Sequence, residues 1–343
     1  MIAAEKQEIV DFYIYPPVGE DDWRYAFETA QVRALETQML SRATFQDMAN
    51  AANFEQAADL LGASEYSPGQ KKSLSEIESI LKAQRSSVRE LFEDLMVDEP
   101  IVKLLRTRDD FANMRLAMRR TLTEKPLGTD YSEDGNVPPG FFEEVFEEEN
   151  YSLFPEYMQE AVEKAVLAYY QNKDIRQIDY AIDGVQAEYN LKRAYQLNSV
   201  FLLGLFKIQI DLTNIRTMFR LKFTDSEQRN VFLRGGYILL ERLKHGLDIG
   251  YEAMGHLFYT TPYYEVVEPG AAYFMSNKSF LKLEQRCEEH LTGFLKTTVR
   301  IAAGPQPIIT YLLMKENEIR TVRLILTAKK NALDTKLILD RIS

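Results

Sequence analysis

One cysteine, Cys287, stands in 343 residues. A lone thiol forms no internal disulfide and no thiolate zinc site, which removes two common staples and fits a reducing compartment. Basic charge is also in short supply: 41 lysines and arginines face 52 acidic residues, a net charge of −11. Such a field repels phosphate backbones and anionic headgroups, so nucleic acid is not an expected partner. Long apolar runs are missing. The strongest, VFLLGLFKIQI at 200–210, is interrupted by Lys207 and falls well short of the roughly 20 residues of a membrane span, so no direct span is expected. The opening MIAAEKQEIVDFYIYPP carries Glu5, Glu8 and Asp11 and has no basic stretch ahead of an apolar one, which does not read as a secretory signal. The cytoplasm is the expected location.

Chemistry-bearing motifs are scarce too. Neither GxxxxGK(S/T) nor GxGxxG occurs, and RGGY at 234–237 is too short to cradle a phosphate, so no nucleotide, cofactor or catalytic site is expected. His245 follows Glu241 by four residues, His256 follows Glu252 by four, and His290 follows two glutamates. These pairs lack the spacing of paired metal-ligating motifs, and no metal is expected. Cys287 has only His290 as a local base and reads as a packed residue. Trp23, the single tryptophan, reads as packing at a domain edge.

What is present is helical periodicity. With 45% apolar and 27% charged residues the chain has ample material for packed cores. Leu35, Met39 and Leu40, then Leu91, Leu95 and Met96, then Leu202, Leu205 and Phe206 follow the three-and-four spacing of an apolar helix stripe. The fold class is all-α, with one short stretch, YYEVVE at 263–268, that reads as extended before Pro269 and Gly270. Residues 124–150 combine prolines, glycines and acids and suit a linker or a surface excursion between domains. Ser226 is placed to cap a new helix, with Asp225 and Glu227 beside it. The resulting division is 1–125, 126–225 and 226–343, each of ordinary domain size.

The chain also repeats itself. DFANMRLAMR (Asp110–Arg119) and DLTNIRTMFR (Asp211–Arg220) share Asp-x-x-Asn-(Met/Ile)-Arg-x-x-x-Arg at an offset of 101, and KENEIRTVR (Lys315–Arg323) is a third copy with Glu318 in the asparagine position. LLGASEY (60–66) and LFYTTPY (257–263) form a second recurring pair, with no middle copy visible. Recurrence of two motifs at matched spacing points to three related helical units. Met114, Ala117 and Met118, like Ile215, Met218 and Phe219, face a core. Arg115 with Arg119, Arg216 with Arg220, and Arg320 with Arg323 then project from a neighbouring stripe. The polar positions Asn113, Asn214 and Glu318 and these six arginines are the candidate functional residues. They either tie helices together through carboxylates or line a partner surface.

These residues resemble a known family, the C subunit of bacterial and archaeal V/A-type rotary ATPases, which is similar to the d subunit of the eukaryotic vacuolar ATPase. The likeness is carried by YAFETAQVRALETQMLS (25–41) with LLGASEY, by IDYAIDGVQAEY (178–189) with DLTNIRTMFR, and most specifically by PIITYLLMKENEIRTVRLIL (307–326). Ser64 replaces the usual threonine, Arg320 follows Glu318-Ile319 without an asparagine, and the acidic 130–156 stretch is long. The resemblance implies three similar domains of about 100 residues in a funnel with pseudo-threefold arrangement. It implies a non-catalytic central-rotor subunit on the cytoplasmic face of a membrane complex. Its implied partners are the shaft subunits D and F and the membrane rotor ring, between which it would pass torque for ATP-linked ion transport. Without the resemblance, the repeat favours a helical adaptor for other protein partners over an all-α enzyme with a carboxylate site.

Overall fold

The computed structural model describes residues 14–67, 73–125, 130–226 and 228–342. The acids Glu5, Glu8 and Asp11 of the opening segment, and Glu227, lie outside these residues. Fifteen α-helices and three short 3-10 helices make up the regular structure of the described residues, with no strand among them. The protein is all-α.

In chain order the helices are α1 (Ala26–Glu36), α2 (Arg42–Asn50), α3 (Phe54–Asp59), α4 (Leu74–Leu95), α5 (Glu99–Leu122), α6 (Pro139–Glu147), α7 (Glu156–Asn172) and α8 (Arg176–Gln196). They continue as α9 (Val200–Phe223), α10 (Leu240–Asp248), α11 (Tyr251–Phe258), α12 (Tyr264–Asn277), α13 (Leu281–Lys296), α14 (Pro305–Lys330) and α15 (Thr335–Ile342). Local sequence sets many of the starts. Ser41, Asn53, Ser73 and Ser199 each accept the backbone N–H three residues on, from Thr44, Gln56, Glu76 and Leu202, which satisfies an otherwise orphaned helix donor. Prolines occupy the first turn of α5, α6 and α14, where the missing N–H costs nothing.

The described residues form two compact units, one from 98–247 and the other from 14–97 with 248–342. In the first, α5, α6, α7 and α8 close over Phe111, Met114, Met118, Phe142, Val145, Met158, Ile178 and Ile182. In the second, α14 packs among α2, α3, α4 and α15, with Ile319, Val322, Ile325 and Leu326 against Met48, Phe54, Leu61, Leu81 and Ile338. The C-terminal long helix therefore completes a core begun by the N-terminal helices.

Four sequence expectations are corrected here. The proline-rich stretch after α5 does not behave as a linker: Tyr131, Val137, Phe142, Val145 and Phe146 are buried in the same core as α5. Pro138 and Pro139 start α6 instead of interrupting order. YYEVVE is not extended but opens α12, because the stripe Val266, Val267, Gly270, Ala271, Phe274 is buried. At about 1.5–3 kcal/mol per large apolar side chain, that burial outweighs the roughly 3 kcal/mol cost of Pro269 inside the helix. Ser226 caps no helix. α9 ends at Phe223 and the next helix starts at Leu240, while the Ser226 hydroxyl accepts the N–H of Gln228 at 3.3 Å in a local turn. Trp23 is not packed but 69% exposed, as Phe27 is 75% and Val299 72% exposed.

His290 on α13 is buried between the rings of Tyr15 and Tyr263, at 5.1 and 5.0 Å, and its Nε2 has no hydrogen-bonding partner among the described residues. Burial pushes its pKa down from 6.5 to about 4, so it is neutral at pH 7. A depressed histidine contributes stability that is whole above the unfolded pKa of about 6.5 and is lost as pH falls toward 4, by about 3 kcal/mol in all. The unfolding midpoint of the native chain is expected to drop across this range more steeply than that of His290→Gln. Parallel curves would show that another group titrates.

Candidate functional site

The three copies of the repeated motif fall on the three longest helices of the described residues, α5, α9 and α14. On α5 the apolar Phe111, Met114 and Met118 are buried as periodicity requires, but so are Asp110 and Asn113. Polar groups persist in such a place only if hydrogen-bonded. Asp110 Oδ1 accepts the N–H of Val137 at 3.0 Å, and Oδ2 accepts Asn136 Nδ2 and the Tyr157 hydroxyl, both at 2.8 Å. Asn113 donates to the carbonyl of Ser132 and accepts its N–H, both at 2.8 Å. The helix thus clamps the chain that follows it.

On α9 the same clamp recurs. Asp211 Oδ1 accepts the N–H of Ile238 at 3.1 Å and Oδ2 that of Tyr237 at 2.9 Å, while Asn214 donates to Leu233 O at 2.8 Å and accepts its N–H at 2.7 Å. Ser132 and Leu233, Asn136 and Tyr237, and Val137 and Ile238 keep the 101-residue offset of the helices themselves. So do Gly135 and Gly236, where a Cβ would lie 2.3 and 2.0 Å from the Oδ1 of Asp110 and Asp211. The close approach needs glycine at both. The repetition runs on into these loops although serine faces leucine and asparagine faces tyrosine, because it is mainly backbone atoms that are held.

On α14 the corresponding positions hold Lys315 and Glu318, both buried. Glu318 Oε1 accepts the Tyr66 hydroxyl at 2.6 Å and Lys315 Nζ at 2.5 Å, and Oε2 accepts the N–H of Leu40 at 2.6 Å. Lys315 also pairs with Glu65. Here the clamped chain comes from the N-terminal part of the same unit. Tyr66 ends LLGASEY, whose Ser64 hydroxyl donates to Leu61 O at 2.8 Å and accepts the N–H of Tyr66 at 3.2 Å. LFYTTPY folds alike: Thr261 donates to Phe258 O at 2.8 Å and accepts the N–H of Tyr263 at 3.3 Å. A middle counterpart, not seen in the sequence, is LFPEY at 153–157, where Tyr157 meets Asp110 as Tyr66 meets Glu318. Its two missing residues hide it from any fixed spacing.

Electrostatics suit these roles. Burial raises the hydroxyl pKa of Tyr66 and of Tyr157 well above the usual range, with Glu318 and Asp110 adding to it, so both are donors at all ordinary pH. Burial also raises the Asp110 carboxyl, opposed by hydrogen bonds from Val137, Asn136 and Tyr157.

The arginines pair unevenly. Arg115 Nη2 lies 2.7 Å from Asp183 on α8 and 2.5 Å from Gln186 Oε1, and Arg119 pairs with Asp179. Burial lifts the Asp183 carboxyl while the Arg115 charge pulls it back. On α14, Arg323 reaches Glu78 of α4 at 2.9 Å. Arg320 bonds Asn317 at 2.7 Å and lies 3.9 Å from Glu288 of α13. Arg216 and Arg220 face, together with Arg115 and Arg119, a cavity of ≈ 780 Å³ between α5, α8 and α9. Among the described residues no three His, Cys, Asp or Glu side chains converge as a metal would require, and no helix is long and apolar enough to cross a membrane. The arrangement holds elements together and presents charge; it assembles no nucleophile with a base.

Comparison with known proteins fits this picture. Residues 29–341 match the model of the ATP synthase (C/AC39) subunit family. The chain is also similar to the C subunit of the V-type sodium ATPase of Enterococcus hirae, 23% identical over 308 residues that cover 88% of this chain and 92% of that protein.

Proposed function

The chain belongs to the ATP synthase (C/AC39) subunit family, non-catalytic components of membrane-associated V-type ATPase complexes, and from that premise we propose that it is the rotor socket of such a complex. In this reading three related helical units, arranged as a funnel, sit on the cytoplasmic face of the membrane rotor ring. They receive the foot of the central shaft, subunits D and F, and pass torque between shaft and ring. The observation that carries the reading is the repeated clamp. A torque coupling needs long helices that cannot shear against their neighbours, and buried Asp–Asn and Lys–Glu groups fix α5, α9 and α14 to the adjoining chain by directional bonds. Directional bonds resist sliding in a way that apolar contact alone does not. Exposed Trp23, Phe27 and Val299 supply apolar anchors of the kind that interfaces use.

The purified chain is expected to retain the purified D–F shaft in a pull-down at low salt, and to join the ring only as part of that assembly or on the ring's cytoplasmic loops. Absence of any association between folded partners would sink the socket reading.

A further inference from the structure

A second groove, of ≈ 890 Å³, lies between α8, α9 and the 233–239 loop that Asp211 and Asn214 hold. Its lining includes the basic side chains Lys192, Lys207 and Arg234 and, among the described residues, no acidic one, in a chain whose net charge is −11. Lys207 is engaged over the Tyr237 ring at 5.0 Å. Lys192 and Arg234 are exposed, and among the described residues neither pairs with a carboxylate. Apolar surface comes from the half-buried Leu191 and Leu203 and from the exposed Leu239 and Tyr195.

The fold does not call for these charges. The clamp on α9 grips backbone N–H and C=O groups of Leu233, Tyr237 and Ile238 and leaves the side chains between them free to differ. At the 101-residue offset the α5 clamp has Glu133 and Asp134 where this one has Arg234 and Gly235, and Asn136 where this one has Tyr237. One loop is acidic, and its counterpart is basic and aromatic. The wall is also fixed in advance: its backbone is bonded to α9, and Gly235 lies so close to α8 that a Cβ there would fall 2.4 Å from Leu191 Cδ1. A preformed wall spares a ligand the entropy of ordering it. A bare ion has no use for leucine or tyrosine, and the acidic remainder of the surface repels a long polyanion. Cations beside apolar and aromatic surface match an amphipathic protein segment whose apolar side chain is flanked by carboxylates.

We infer that this groove seats an acidic, amphipathic segment of the central shaft. The assignment rests on the rotor-socket reading and names the chemistry by which the shaft is recognised there: carboxylates at Lys192 and Arg234, and an apolar side chain against Leu239 and Tyr195. Attraction of this kind steers association and fixes register, and it weakens with salt. Because the α5 copy presents Glu133 in place of Arg234, it repels what the α9 copy attracts, which selects between the two repeats.

The test titrates the purified D–F shaft against the intact chain at low and high sodium chloride. The double variant Lys192→Glu/Arg234→Glu is expected to weaken binding roughly tenfold or more at low salt, with a shallower salt dependence. Tyr195→Ala is expected to weaken it about fivefold with the salt dependence unchanged. Arg234 is exposed and its counterpart in the α5 copy is already a glutamate, so Arg234→Glu alone keeps the fold and decides the matter if the double variant does not. Unchanged affinity and salt slope in a folded charge variant, with the native chain binding normally, overturns the groove assignment alone. A loss confined to Tyr195→Ala does the same, since the occupant would then not be acidic. Failure of the native chain to bind the shaft overturns the socket reading and the assignment with it. If the charge variants instead lose binding to the detergent-solubilised ring, or to inorganic phosphate, while shaft affinity is untouched, the groove belongs to another ligand and the assignment is also overturned.

Discussion

Glu318→Ala lowers the thermal midpoint of the unit that contains α14 by roughly 10 °C, the largest loss expected of any single substitution outside the apolar core. One carboxylate there accepts from the Leu40 backbone, the Tyr66 hydroxyl and the Lys315 ammonium. Its removal leaves three donors short of an acceptor, the Tyr66 hydroxyl and the charged Lys315 ammonium buried and the Leu40 N–H half-buried. Lys315 keeps Glu65, which is 38% exposed and so offers a partly screened substitute. Breaking a buried pair from one side costs about 3–5 kcal/mol, far more than the pair contributes relative to a well-packed apolar replacement. Glu318→Gln keeps one acceptor oxygen, which serves Leu40 or Tyr66 but not both, and so loses less than alanine while still leaving one of these donors unmet. Thermal or urea unfolding with hydrogen exchange along α14 checks both. A loss under about 1 kcal/mol for the alanine variant, the worth of an exposed pair, would show that water replaces the carboxylate and that the group is not a clamp.

Asp211→Ala is the second large effect, at about 2–4 kcal/mol in the Asp98–Leu247 unit. It deprives the backbone N–H groups of Tyr237 and Ile238 of their acceptor. The isosteric Asp211→Asn is informative, because it keeps volume while turning one acceptor into a donor that faces an N–H. It is expected to cost nearly as much as alanine, which a purely steric role would not produce. Asn214 holds Leu233 of the same loop, so Asp211→Ala/Asn214→Ala should cost less than the sum of its parts by about 1 kcal/mol. Once the loop is released, the second clamp has nothing left to hold. Gly236→Ala attacks the same place from the other side, since its Cβ would fall 2.0 Å from Asp211 Oδ1.

The two effects show how far this molecule can be read from its residues. The helical class is written in the three-and-four spacing of its apolar side chains, and Asp110, Asn113, Asp211 and Asn214 announce the repeat because the side chains themselves recur. Ser132 and Leu233 do not, since what recurs there is a peptide N–H and C=O that every residue carries. Tyr157 escapes notice for a different reason: LFPEY is two residues shorter than LFYTTPY, yet it delivers the same hydroxyl to a buried carboxylate. The stretch 124–150 misleads because proline signals a break in the chain as readily as it signals the first turn of a helix.

Sequence by itself determined that the chain is helical, where most long helices run, which of their faces are apolar, and that three of them carry one polar pattern. These are consequences of 3.6 residues per turn and of side-chain chemistry, and they act over a few residues. Tertiary structure alone decided which segment each buried Asp, Asn or Glu holds, that α14 completes the core of α2, α3 and α4, and that the arginine edges of α5 and α9 open onto one cavity. A buried polar group requires a partner but does not specify its address. The address is set when distant segments exclude water together, and no local periodicity records it.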